Sequence, residues 1–298
     1  MIQKILFQLF RTTFKTTEML FPVLAGKWAV RLFFTPRRFK RPHRELNFLK
    51  DARVSKIPFR SDFKMGTHED YYIRYEWGIK GPTVLLVHGW EGRGSQMGHF
   101  VKPLLEAGYR VISFDALAHG DSPGKRTNML EFARIIGDID NYSGGFDAII
   151  GHSLGGTAAG YTIAEGVRAR SLITICSPTT IEFIFNAFAE QIRASQETIR
   201  RLSQFLEDFT GKRSPEFSFV DFATKVAVPG LIIHDQDDKE IHYSQAKALH
   251  EHWAESKIFL TNGLGHKRVL RSQEIISETM NFIKKVLKEN EIRRAASY

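Results

Sequence analysis

Residues 146–156 read Phe-Asp-Ala-Ile-Ile-Gly-His-Ser-Leu-Gly-Gly, and no other stretch constrains the fold of this chain as tightly. A short apolar run ends at Gly151, and small residues compatible with a helix follow at once. This is the pattern of a buried strand that turns abruptly into a helix. Glycines at the turn let the helix pass close to the strand without a Cβ clash. The turn also holds the Ser153 hydroxyl clear of the sheet, which makes Ser153 a candidate nucleophile.

The surrounding sequence supplies a sheet for that strand to join. Tyr71–Trp77 alternates like an early antiparallel strand, and Thr83–Val87 is a run typical of a strand buried on both faces. Further strands are predicted at Arg110–Phe114, Ala148–Ile150, Leu172–Ile175, Gly230–Ile233 and Lys257–Leu260. Helices are predicted at Met97–Ala107, Asn128–Ile139, Leu154–Glu165 and Ile275–Leu287. Strand and helix in alternation imply a mostly parallel α/β sheet covered on both faces. Residues 177–228 interrupt the rhythm. They read as helical over Ile181–Phe209 and are rich in phenylalanine: Phe183, Phe185, Phe188, Phe205, Phe209, Phe217, Phe219 and Phe222. An insertion above the strand ends is a natural cap, because open α/β sheets bind ligands at that edge. The expected division is an N-terminal arm at 1–54, a core at 55–176 and 229–290, and a cap at 177–228.

The chain's 298 residues carry a net charge of +9. Residues 1–60 hold 14 Lys/Arg against 3 Asp/Glu, which leaves 28 against 30 for the rest. The high pI therefore belongs to the arm, and the body lacks the basic working face that a nucleic-acid enzyme would need. Met1–Lys15 fits a helix with Lys4, Arg11 and Lys15 along one stripe and Ile2, Ile5, Leu6, Leu9 and Phe10 over much of the remainder. Neither this stretch nor Met19–Phe34 is an uninterrupted span, and no secretory signal pattern is present. Two readings stand for residues 1–42: a peripheral contact with an anionic membrane, or a helical arm packed across the body. A single cysteine, Cys176, sits in an apolar run, where it reads as a buried structural thiol, and it suits a reducing, cytoplasmic location.

A serine needs a base to take its proton, and that base needs a carboxylate to hold its tautomer. His234-Asp235-Gln236-Asp237-Asp238 follows a strand, and Gly265-His266 follows the last strand in a glycine-rich loop. The chain order Ser153, Asp238, His266 is one that this chemistry uses. Backbone N–H groups for an oxyanion are expected at Leu154, just after the serine, and at Trp90, in the turn after Thr83–Val87. His88, His119 and His152 stand beside motif glycines and read as turn histidines bonded to backbone. Gln96 and Met97 are candidates to line the cleft. His250-Glu251-His252 lacks metal-ligand spacing, and no nucleotide-binding loop occurs, so neither a metal nor a cofactor is implied.

These motifs together resemble the α/β-hydrolase fold of serine hydrolases, esterase- or lipase-like, over roughly residues 55–290. The resemblance is carried by His88-Gly89-Trp90, the stretch 114–122, Gly151-His152-Ser153-Leu154-Gly155-Gly156, Asp238 and Gly265-His266. It implies an eight-stranded, mostly parallel sheet flanked by helices, a helical cap inserted after the sixth strand, and hydrolysis of carboxylic esters through an acyl-enzyme. Family members often carry glycine where this chain has Asp235. The acid then falls on Asp238, with Asp235 and Asp237 as alternatives. The expected substrate is a small ester with an apolar acyl group. An acyltransferase and a non-catalytic binding protein on the same fold are the rival readings.

Overall fold

The structure, a computed structural model, describes residues 2–60 and 71–296. Residues 61–70 of the expected core, and the side chains of Lys4 in the expected basic stripe and Ile2 on the expected apolar face, lie outside the described residues. Eight strands form one sheet: β1 (Arg53–Pro58), β2 (Tyr71–Trp77), β3 (Thr83–Val87), β4 (Arg110–Asp115), β5 (Ala148–His152), β6 (Leu172–Ile175), β7 (Gly230–Asp235) and β8 (Ser256–Thr261). Their spatial order is β1-β2-β4-β3-β5-β6-β7-β8. β1 and β2 pair antiparallel, β2 runs antiparallel to β4, and the remaining pairs are parallel. β3, β5 and β6 are buried at every residue, as their continuous apolar runs require when helices cover both faces.

Helices α1 (Ile2–Leu20), α2 (Pro22–Phe33) and α3 (His43–Leu49) precede the sheet. α4 (Val101–Glu106), α5 (Met129–Ser143) and α6 (Leu154–Ala164) lie between its strands. α7 (Ile181–Ile192), α8 (Gln196–Thr210) and the single turn α9 (Phe219–Phe222) form the cap between β6 and β7. α10 (Ser244–His252), α11 (Gly265–Arg268) and α12 (Gln273–Ala296) complete the chain. The stretch Ile181–Phe209, expected to be helical, forms two helices, broken where Arg193 takes φ 60°. The helix predicted at Met97–Ala107 is a 3-10 turn, Gly94–Phe100, running into α4.

β1 lies outside the predicted strand set and begins inside the expected arm. Its residues are largely exposed and include Arg53, Lys56 and Pro58, so no apolar run marks it. It exists by pairing with β2, from Arg53↔Glu76 to Pro58↔Tyr71.

The arm lies on the cap. Phe14, Ala25 and Ala29 form a small core with Ile192 of α7. Trp28 packs on Phe10 and Phe14, with ring centroids 5.4 Å away in each case. The Glu18 carboxylate accepts from Ser195 N–H and from the Ser195 and Thr198 hydroxyls, so a remote carboxylate caps the N-terminus of α8. At the other end of the join, Arg11 donates to Gln191 O in the last turn of α7. This small core is separate from the two that flank the sheet. Removing the fully buried Phe14 ring by Phe14→Ala costs about 3–5 kcal/mol of local packing. Limited proteolysis should then cut within residues 1–42 at conditions where the sheet's unfolding midpoint is unchanged.

Candidate active site

The chain leaves β3 toward β4 on one side of the sheet and leaves β5 toward β6 on the other. The loops after β3 and β5 therefore part in opposite directions, and a crevice opens between their C-terminal ends. Ser153 sits there, at the N-terminus of α6, with φ 52° and ψ −128°. A Cβ on Gly151 would lie 2.5 Å from Gly156 Cα, so only glycine lets β5 and α6 cross this closely. A Cβ on Gly89 would meet Ser153 Cβ at 2.7 Å, so the turn after β3 also presses on the serine. Ser153 N–H donates to Ile175 O at 2.9 Å, which locks the turn to the end of β6. Of the five described non-glycine residues with positive φ, Glu91 and Ser153 line this crevice, and Cys176 lies buried behind it beside Asp238 and His266.

His266 and Asp238 meet as their chain order suggested. His266 Nδ1–H donates to Asp238 Oδ2 at 2.8 Å, and both side chains are buried. Asp238 Oδ1 accepts from Glu240 N–H and Ile241 N–H at 2.8 and 3.0 Å. Burial alone would raise this carboxyl. The contacts from His234 and His266, with the backbone donors, outweigh it and hold the group well below its ordinary 3.8. Asp235 and Asp237, the alternative acids, hold the histidine loop instead. Asp235 accepts from Gly265 N–H (2.8 Å), Leu264 N–H (3.1 Å) and the Thr261 hydroxyl (2.9 Å). Asp237 accepts from Gly263 N–H at 2.8 Å.

Trp90 and Leu154 both line the crevice beside Ser153. Among the described residues neither of their N–H groups has an acceptor, whereas the next amide, Glu91 N–H, donates to His119 Nε2 at 2.9 Å. The turn histidines are engaged as their surroundings suggested. His88 Nδ1–H donates to Gly89 O while Nε2 accepts from Ala116 N–H. His119 Nδ1–H donates to Leu117 O, and His152 Nε2–H to His266 O. Burial pushes His88 down to about 4, His119 well below its ordinary value, and His152 to about 3 with help from neighbouring His266. All three are neutral near pH 7. His266 alone among these four has a carboxylate on its ring.

A model of the alpha/beta hydrolase family matches residues 84–274. The chain belongs to the α/β-hydrolase family. No curated protein matches the sequence significantly. Solved structures with this fold include the esterase Pf2001 of Pyrococcus furiosus, at 18% identity and TM-score 0.61, covering 86% of this chain and 96% of that one. An esterase of Exiguobacterium antarcticum is similar at 19% identity and TM-score 0.56, covering 72% and 96%. A bromoperoxidase of Bacillus anthracis follows at 18% and 0.57, covering 78% and 100%. The neighbours share the fold at these identities and include more than one chemistry.

In this α/β hydrolase the crevice opens into a cavity of about 500 Å³, within the range of small-molecule sites. The cap contributes Phe183, Phe188 and Phe209, and the arm contributes Phe7, Phe10 and Phe33. Phe185, Phe219 and Phe222 are buried where the cap meets its neighbours, Phe185 on Phe33, Phe219 on Trp253 and Phe222 on Tyr161, so the aromatic cluster divides between cleft and core. Gln96 lines a neighbouring polar cleft, while Met97 is fully buried and does not reach the site. Arg37 was not singled out by the sequence. It grips Glu91 with Nε to Oε1 at 2.8 Å and Nη2 to Oε2 at 2.9 Å, tying the arm to the turn that bears Trp90. Its signal is only the charge run after α2, which carries no hint of the partner.

Cys176 Sγ, an Asp238 oxygen and a His266 nitrogen lie within 4.8 Å of one another. His266 and Asp238 are already bonded to each other, and burial holds the Cys176 thiol protonated, well above its ordinary value. The trio is thus a hydrogen-bonded backing for His266, not a set of open ligands. Because the folded Asp238 carboxyl is depressed, its stabilisation is complete above the ordinary 3.8 and is lost as pH falls below it. Below about pH 4 the unfolding midpoint of wild type should fall more steeply with pH than that of Asp238→Asn.

Proposed function

We propose that this α/β hydrolase is a serine esterase that cleaves carboxylic esters of apolar acyl groups through an acyl-enzyme. The observation that carries the reading is the His266–Asp238 bond beside Ser153, at the mouth of a phenylalanine-lined cavity. With Nδ1–H committed to Asp238, Nε2 is the atom left to take the serine proton. Ser153 Oγ attacks the acyl carbon, and Asp238 stabilises the imidazolium that forms. Trp90 and Leu154 N–H, free of acceptors and in one case at a helix N-terminus, supply the charge stabilisation for the oxyanion. His266 returns its proton to the leaving oxygen. Water, deprotonated by the same nitrogen, then releases the acid and restores Ser153.

The test is hydrolysis of a p-nitrophenyl ester series, acetate to palmitate. Ser153→Ala should lower kcat by about 10³-fold or more and abolish labelling by a fluorophosphonate, and Asp238→Asn should cost about 10³–10⁴-fold. Undiminished turnover by Ser153→Ala would sink the assignment.

The arm also supports a membrane role. Beyond its packed face, α1 and α2 leave Leu6, Leu9, Leu20, Phe21, Val23 and Leu24 exposed. Exposed Lys15, Lys27 and Arg31 border them, the combination that docks on anionic lipid. No helix among the described residues is long and apolar enough to cross a membrane, so the contact is peripheral. Full-length protein should co-sediment with anionic vesicles and lose most of that binding on Leu20→Glu with Val23→Glu. Equal sedimentation of both proteins would remove the membrane role and leave the esterase reading intact.

A further inference from the structure

A second, larger cleft of about 940 Å³ adjoins the apolar cavity, and the two share Trp90, Ser153 and His266 as walls. An ester bond held at Ser153 would therefore have one half in each. The cleft is strongly basic, unlike the near-neutral body of the chain. Three of its carboxylates are already neutralised by lining cations: Glu45 by Arg93, Glu91 by Arg37 and Glu240 by Lys267. That leaves Arg11, Lys40, Arg44, Lys239 and Arg271 against a single remaining carboxylate, Glu190. Among the described residues, Lys40, Arg44, Lys239 and Arg271 have no ion-pair partner. They come from three separate parts of the chain: Lys40 and Arg44 from the arm, Lys239 from the loop after β7, and Arg271 from the segment after α11.

Like charges gathered from separate segments repel and weaken the fold unless something anionic repays them. Arg44 and Arg271 are close enough to His99 that, after burial, they are what holds its imidazole below the ordinary value. Their planar forks suit phosphate oxygens in a way that lone ammonium groups do not. The apolar cavity on the other side carries no comparable charge, so an anion has one direction to lie in.

We infer that the leaving group of the natural substrate bears phosphate and lies in this basic cleft, while the acyl chain occupies the phenylalanine cavity. The inference rests on the esterase reading and adds its substrate class. Ser153 Oγ forms a bond to the acyl carbon, the bond from that carbon to the leaving oxygen or sulfur breaks, and the leaving atom takes the proton from His266. The phosphate itself does not react. It is held by Arg44 and Arg271, with Lys40 and Lys239 supplying field, and so draws the reacting carbon toward Ser153.

The same chemistry occurs in a phosphorylated glycerol ester and in a thioester of a phosphorylated thiol. Each is tested against a neutral partner of equal chain length: 1-lauroylglycerol 3-phosphate against 1-lauroylglycerol, and lauroyl-coenzyme A against lauroyl-N-acetylcysteamine. At low ionic strength, kcat/KM should favour the phosphate-bearing member of at least one pair by about tenfold or more. Added salt should erode that ratio. Arg44→Ala with Arg271→Ala, both at exposed positions, should bring it toward one. Equal kcat/KM within both pairs, or a ratio untouched by the double variant, overturns the inference and leaves the esterase reading standing. Calorimetric binding of the same four compounds to Ser153→Ala separates the two ideas further. Tighter binding of a phosphate-bearing member without turnover by wild type supports the cleft and fails the esterase. No preference in binding or turnover fails the cleft.

Discussion

How closely β5 and α6 can cross, with the turn after β3 pressed against them, decides what the rest of the site can be. Gly151 meets Gly156 at a distance no side chain tolerates, and Gly89 meets Ser153 in the same way. That contact holds Ser153 at a positive φ with an extended ψ, a conformation worth about 1–3 kcal/mol of strain. The sheet offsets the strain through the Ser153 N–H bond to Ile175 O and the Gly156 N–H bond to Ser153 O. The same geometry brings Trp90 and Leu154 to one wall of one crevice. Loosening the crossing would misplace the hydroxyl and both amides together.

The hydrogen-bond partner of each ring separates three of the imidazoles at this crevice from the fourth. His88, His119 and His152 are bonded to backbone groups and held neutral. His266, also buried, has the Asp238 carboxylate on Nδ1 instead of a backbone group. Asp238 can serve it because other groups anchor the loops on which the two residues ride. Asp235 and Asp237 gather four N–H and O–H donors of the histidine loop and its flanking strand. Three nearby aspartates thus divide between orienting a ring and fixing the backbone that carries it. Replacing the glycine often found at position 235 by aspartate makes that division possible.

The parts of the site that were legible in the sequence are those encoded within a few consecutive residues. The strand-turn-helix at Ser153, the glycine before His266 and the acidic turn after β7 each announce themselves locally, and the parallel strands do so by continuous apolar runs. β1 stayed hidden because its residues alternate without apolar emphasis and it is stabilised by its neighbour. Arg37 and the arm phenylalanines stayed hidden because their partners lie more than fifty residues away, and nothing in a charge run or a helical stripe names a distant partner. Asp235 could be read as an alternative acid but not as a loop anchor, since that role appears only once Gly265 and Leu264 are in position.

The first helix of the arm, which walls the cavity with Phe7 and Phe10, is held by far less packing than the sheet that carries Ser153. Its hold is the small cluster of Phe14, Ala25, Ala29 and Ile192 with polar ties from Arg11 and Glu18, whereas the sheet is flanked by two extensive cores to which the rest of the arm is joined through Phe33, Arg38 and Arg41. Warming therefore opens one side of the cavity while the crevice below is still intact. Selectivity for the bound group fades at a lower temperature than the chemistry, and a growth temperature close to that point would act directly on which molecules this protein accepts.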